Sequence, residues 1–114
     1  MHELAITQSI VDAITERVDT DRVTAVRLEI GALAGVLPDS VAFCFGLVAE
    51  GTALDGASLE ITRPKGRSRC RECGSEFEHD DPIASCRCGS VDLDVLAGRE
   101  LRIVSVEVVS VEVV

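Results

Sequence analysis

The chain has 114 residues, 46% of them apolar, and a formal net charge of −9. That length suits one ordinary domain with a small attached module, and the acidic balance argues against a general nucleic-acid binder, whose surface is normally basic. The longest apolar run, Val41 to Ala49, is far too short to span a bilayer, and the first residues lack the basic start and apolar core of a secretory signal. The cytoplasm, where thiols stay reduced, is the expected location.

Leu4, Ile10, Val11, Ile14 and Val18, interleaved with Asp12, Glu16 and Asp19, predict one buried face of an amphipathic helix that ends near residues 19–21. From Val23 to Ile30 the pattern changes to alternation, with Val26, Leu28 and Ile30 against Ala25, Arg27 and Glu29, the period of a half-buried strand. After the loop from Ala32 to Leu37, Pro38 followed by Asp39 and Ser40 reads as the first turn of a second helix, where the missing N–H of proline costs nothing. Val41, Phe45 and Val48 form its inner stripe. Cys44 shares that face and reads as a core residue, because a free cysteine packs as a small hydrophobe. Ala57, Leu59 and Ile61 mark a second strand, Val91, Leu93 and Val95 a further alternating run, and Leu101 to Val109 a last strand. The end duplicates Ser105-Val-Glu-Val-Val109 as Ser110-Val-Glu-Val-Val114, and a valine-rich edge without proline invites association.

Four of the five cysteines fall within nineteen positions, as Cys70-Arg-Glu-Cys73, twelve residues, then Cys86-Arg-Cys88. Two short-spaced pairs joined by such a loop can put four thiolates on one tetrahedral zinc ion. Gly74 and Gly89, each directly after its pair, suit the positive backbone angles of such knuckles. The element order then predicts an α+β fold: two helices packed on a three-stranded, mainly antiparallel sheet, with an inserted zinc-ribbon arm. Residues 1–64 and 90–114 would make the body and residues 65–89 the arm, which has few apolar side chains and depends on its metal for folding.

Charge separates the same parts. Residues 1–62 hold ten acids and three bases, whereas residues 65–89 hold five of each. Arg63, Lys65, Arg67, Arg69 and Arg71 recur at every second position, so in an extended segment they share one face. A solvated strand face is one reading, and a docking surface for an acidic partner or a nucleic acid is the other.

The chain contains no phosphate-binding loop and no dinucleotide fingerprint, and neither of its two histidines, His2 and His79, sits in the context of a hydrolytic triad. His79, between the cysteine pairs, reads as a loop residue or as a pH-sensitive substitute ligand. His2 follows the α-amine directly. Its imidazole, the amine and deprotonated backbone amides can close fused chelate rings, and their square-planar field suits nickel(II) or copper(II) rather than zinc. An exposed terminal histidine without a role is the other reading.

Several stretches together resemble the HypA/HybF family of nickel metallochaperones: Met1-His2-Glu3-Leu4, Ile30-Gly31, Leu33-x-Gly35-Val36-x-Pro38, Phe43-x-Phe45, Glu50-Gly51-Thr52, and the cysteine segment closing on Cys88-Gly89-Ser90. The resemblance spans nearly the whole chain. It implies a protein that is not an enzyme and that carries nickel for maturation of [NiFe]-hydrogenase, handing it to the hydrogenase large subunit together with the GTPase HypB, and in some members supplying urease maturation. A monomer or weak homodimer without nucleic-acid or membrane partners is expected. Nickel would map onto the His2 imidazole and the backbone nitrogens around Met1, His2 and Glu3, and structural zinc onto Cys70, Cys73, Cys86 and Cys88. Two features depart from the family pattern. The second cysteine pair is usually Cys-x-x-Cys, whereas Arg87 alone separates Cys86 from Cys88. The family's acidic residue near the nickel falls on Leu37, which leaves Asp39 as the nearest carboxylate. The rival function is a zinc-ribbon accessory that binds nucleic acid or an acidic protein.

Overall fold

A computed structural model describes residues 2–19 and 21–111. The elements are α1 (Glu3–Val18), β1 (Arg22–Ile30), α2 (Pro38–Val48), β2 (Ser58–Thr62), β3 (Gly66–Cys70), β4 (Glu76–His79), β5 (Leu93–Ala97) and β6 (Leu101–Val109). They form an α+β fold with two three-stranded sheets, ordered β2-β1-β6 and β4-β3-β5.

The chain divides into two compact units, one of Met1–Leu28, Val36–Ile61 and Ile103–Val114, the other of Glu29–Gly35 and Thr62–Arg102. The cysteine-bearing unit thus extends beyond residues 65–89. The physical reason is strand pairing: β5 hydrogen-bonds to β3, so residues beyond Gly89 belong to the cysteine-bearing sheet.

In the first unit α1 packs against α2. Val11 and Ile14 of α1, Val23, Val26 and Leu28 of β1, and Val41 and Phe45 of α2 are buried. The inner face of α1 differs from the expected stripe. Glu3, Thr7, Val11 and Ile14 are buried, whereas Leu4 is 56% exposed. Thr7 tolerates burial because its hydroxyl donates to the Glu3 carbonyl at 2.6 Å. Pairings along β1 fix strand sense. Arg22 bonds the Asp55 carbonyl and Arg27 bonds Glu60, so positions advance together and β2 runs parallel to β1, as the crossover through α2 allows. Thr24 bonds the Glu107 carbonyl and Arg102 bonds Glu29, so β6 runs antiparallel.

In the second unit β3 pairs antiparallel with both β4 and β5. Its Gly66, Ser68 and Cys70 are buried and its Arg67 and Arg69 exposed. Backbone approach is close enough that only glycine fits: a Cβ on Gly66 would lie 2.2 Å from the His79 carbonyl oxygen, and one on Gly31 2.0 Å from that of Gly98.

Candidate metal centres

The strand β3 ends at Cys70, and the turn that follows returns the chain at Cys73. There the Gly74 N–H donates to the Cys70 carbonyl, and the Cys70 N–H to that of Ser75, both at 2.9 Å. The second knuckle repeats this pattern one residue shorter. The Gly89 N–H donates to the Cys86 carbonyl at 2.9 Å and the Cys86 N–H to that of Ser90 at 2.8 Å. The residue missing between Cys86 and Cys88 is absorbed by a tighter turn, with Gly74 at φ 78° and Gly89 at φ 93°.

The four thiol sulfurs lie within 4.8 Å of one another. Cys70 and Cys88 sulfurs are 3.7 Å apart, and those of Cys73 and Cys86 3.4 Å. Tetrahedral zinc–thiolate bonds of about 2.3 Å place sulfurs roughly 3.8 Å from each other, so the arrangement fits that ion. The local field is already uneven. The Ser75 hydroxyl and N–H, then Cys86, draw the Cys73 thiol down to about 6. The Cys73 N–H lowers Cys70 as well. Around Cys88 the Ser90 N–H favours the thiolate, yet the Cys70 and Cys86 sulfurs and desolvation outweigh it and push that thiol up to about 12. Four thiolates so close together repel, and a divalent cation is what allows all four to lose their protons. With four sulfurs around it, such an ion has no open position for chemistry.

The basic alternation does not form a free cationic face. Lys65 pairs with Glu78, Arg67 and Arg69 with Glu76, and Arg71 with Asp92 and Asp94. Arg69, then Arg67, holds the Glu76 carboxyl below its ordinary range, and Arg71 does the same for Asp94. These acids come from β4, β5 and the segment before β5. The reading as a docking surface for acidic partners or nucleic acid therefore loses its support. His79 is not a loop residue either: it closes β4, and both ring nitrogens are engaged. Nδ1 donates to the Asp81 carbonyl at 2.9 Å, which leaves Nε2 to accept from the buried Ser68 hydroxyl at 2.7 Å. The strand β4 and this Ser68–His79 bond were not legible in the sequence.

The other site lies at the start of α1. His2 occupies the N-cap position and is exposed, its side chain makes no capping bond, and its carbonyl accepts from the Ile6 N–H at 2.9 Å. Met1 lies outside the described residues. Glu3 is buried, and its Oε2 accepts from the Leu37 N–H at 3.2 Å, which ties α1 to the residue before α2. Hydrogen bonding, with the Leu37 N–H among the donors, holds the Glu3 carboxyl down at about 2. Glu3 and Asp39 line one shallow groove of about 420 Å³ with Leu4, Ser40, Phe43 and Cys44. Asp39 sits in the first turn of α2, where the helix dipole favours a carboxylate. Cys44, expected in the core, is half-buried on this groove.

A model of the family described as hydrogenase/urease nickel incorporation metallochaperone, HypA, matches residues 1–108. The chain belongs to the HypA family. A hydrogenase maturation factor HypA from Nostoc punctiforme is 47% identical over 108 residues, covering 95% of this chain and 96% of that protein. One from Geotalea uraniireducens is 48% identical over 111 residues, with 95% and 99% covered. The solution structure of the Ni metallochaperone HypA from Helicobacter pylori shares the fold with a TM-score of 0.63 at 19% identity, covering 96% of this chain and 99% of that one. This HypA-family chain is a hydrogenase maturation metallochaperone, and its four-cysteine cluster fits the structural zinc of that family. No helix among the described residues is long and apolar enough to cross a membrane.

Proposed function

We propose that the chain loads nickel at its N-terminus, through the His2 imidazole and the backbone nitrogens around Met1, His2 and Glu3, and delivers it in the cytoplasm to the large subunit of [NiFe]-hydrogenase together with a HypB-type GTPase. Urease maturation is a second destination open to the same cargo. Cys70, Cys73, Cys86 and Cys88 hold zinc as a structural ion, and the protein catalyses no reaction itself. The observation that carries the nickel assignment, given family membership, is the meeting of Glu3 and Asp39 on one groove, with His2 at the N-cap directly before Glu3. Two carboxylates, one of them directly after His2 in the chain, favour an incoming dication, and Asp39 would add a side-chain ligand to those of the terminus. Amine and amide nitrogens must lose protons to bind, so nickel affinity rises with pH. The test is equilibrium dialysis of the untagged protein against nickel. Wild type should take up one nickel beside one retained zinc, and His2→Ala should lose the nickel and keep the zinc. Equal nickel uptake by the two proteins defeats the assignment.

A further inference from the structure

The helix α2 is apolar on every side. After Asp39 it carries no charged residue, and it reads Val41-Ala-Phe-Cys-Phe-Gly-Leu-Val48. A helix of that composition normally lies buried all round. Here one face is buried, with Val41 at 0% and Phe45 at 5% exposure, while Phe43 is 71% exposed and Leu47, one turn on, 56%. Leu4 of α1 lines the same groove as Phe43 and is 56% exposed, and Leu37 just before α2 is 62% exposed. An aromatic ring and neighbouring leucines left in water on one face mark an interaction site.

The surrounding charge says what kind of partner fits. The unit that contains this face holds eleven acids and three bases, so it carries −8 of the chain's −9, and residues 36–61 contain no base at all. Glu3 and Asp39 stand in the groove itself. A second copy docked through the same face would bring acid against acid, and anionic lipid or nucleic acid would be repelled. We propose that the face formed by Leu4, Phe43 and Leu47 is a docking site for an amphipathic segment of a partner protein, whose apolar side chains cover Phe43 and whose lysines or arginines complement the surplus of acids in this unit. The site does not depend on nickel.

The test uses the full-length, zinc-loaded protein without nickel. The probe is a short helical peptide of leucine and lysine, beside a matched peptide with glutamate in place of lysine. Binding is read by fluorescence anisotropy at physiological ionic strength and located by amide shifts in NMR spectra. The lysine peptide should bind saturably, shift the amides of Phe43 and Leu47, and bind roughly tenfold or more weakly to Phe43→Ser. Val104→Ser, at an exposed valine of β6 in the same unit, should leave binding unchanged. Both sites are exposed, so circular dichroism should find both variants folded. The proposal falls if Phe43→Ser binds as wild type does, if the glutamate peptide binds equally well, if the shifts map elsewhere, or if sedimentation reveals a Phe43-dependent dimer.

Discussion

Removing zinc should open one unit of the protein and leave the other closed. Of the fourteen buried apolar residues among those described, ten lie in the helix-bearing unit, and the second unit has Ile30, Leu33, Cys70 and Cys86. Two of those four are sulfurs of the metal cluster, so little apolar burial remains once the ion is gone. A structural zinc contributes about 10 kcal/mol or more. A unit held closed by even about 4 kcal/mol is open for about one part in a thousand of the time, so loss of the ion should raise access to its backbone by roughly a thousandfold. Trypsin reads this directly, because eight of the eleven bases lie in the second unit. With thiols kept reduced, chelation should expose cleavage after Lys65, Arg67, Arg69, Arg71 and Arg87. Cleavage after Arg17, Arg22 and Arg27 of the first unit should stay slow and serves as the internal reference. Unchanged protection of β3 in chelated protein would refute the view that the metal, and not the side chains, holds this unit together.

Two further substitutions test local features. Glu3 has a carboxyl held at about 2, below its ordinary 4.5, so its contribution is full above pH 4.5 and is lost as pH falls from there toward 2. Protection of the Leu37 amide from exchange should decline over that window in wild type, and Glu3→Gln should remove the dependence. Reading that amide separates the effect from acid loss of zinc. The glycines form a contrasting pair. Gly31→Ala drives a Cβ against the Gly98 carbonyl and should destabilise by about 1–3 kcal/mol. Gly46→Ala, on α2 with nothing within 4 Å of the new Cβ, should stabilise by about 0.5–1 kcal/mol. Denaturant unfolding of both variants checks the signs.

Local pattern carried much of this structure. The strand from Val23 to Ile30 alternates as its sequence does, the proline start of α2 lies at Pro38, and β6 spans Leu101–Val109 as expected. The cysteine cluster was legible because metal ligation leaves a spacing that packing does not imitate. Long-range partners left no such mark. Nothing near Arg67 in sequence announces that Glu76 will meet it across a turn, nor that Val95 will stand opposite Ser68. The inner face of α1 departs from its hydropathy pattern for a related reason. Its polar members, Glu3 and Thr7, are buried through hydrogen bonds that hydropathy does not count, so the apolar pattern points to Leu4 although Leu4 faces outward.

The ion pairs along β3 add little stability, because exposed pairs compete with water and salt. Their consequence is alignment. Arg67 stands opposite Glu78 and Ser68 opposite Phe77, while Lys65 reaches Glu78 and both arginines reach Glu76. A slip of one residue would turn Arg67 and Arg69 into the buried positions that Gly66 and Ser68 fill, and at the first of these the His79 backbone leaves no room for a side chain. A slip of two would keep a base opposite each acid, because bases recur at every second position, but it would push Ser68 into the slot that only Gly66 fits. With β3 held in that alignment, Cys70 stands where its sulfur can meet the other three as the metal binds.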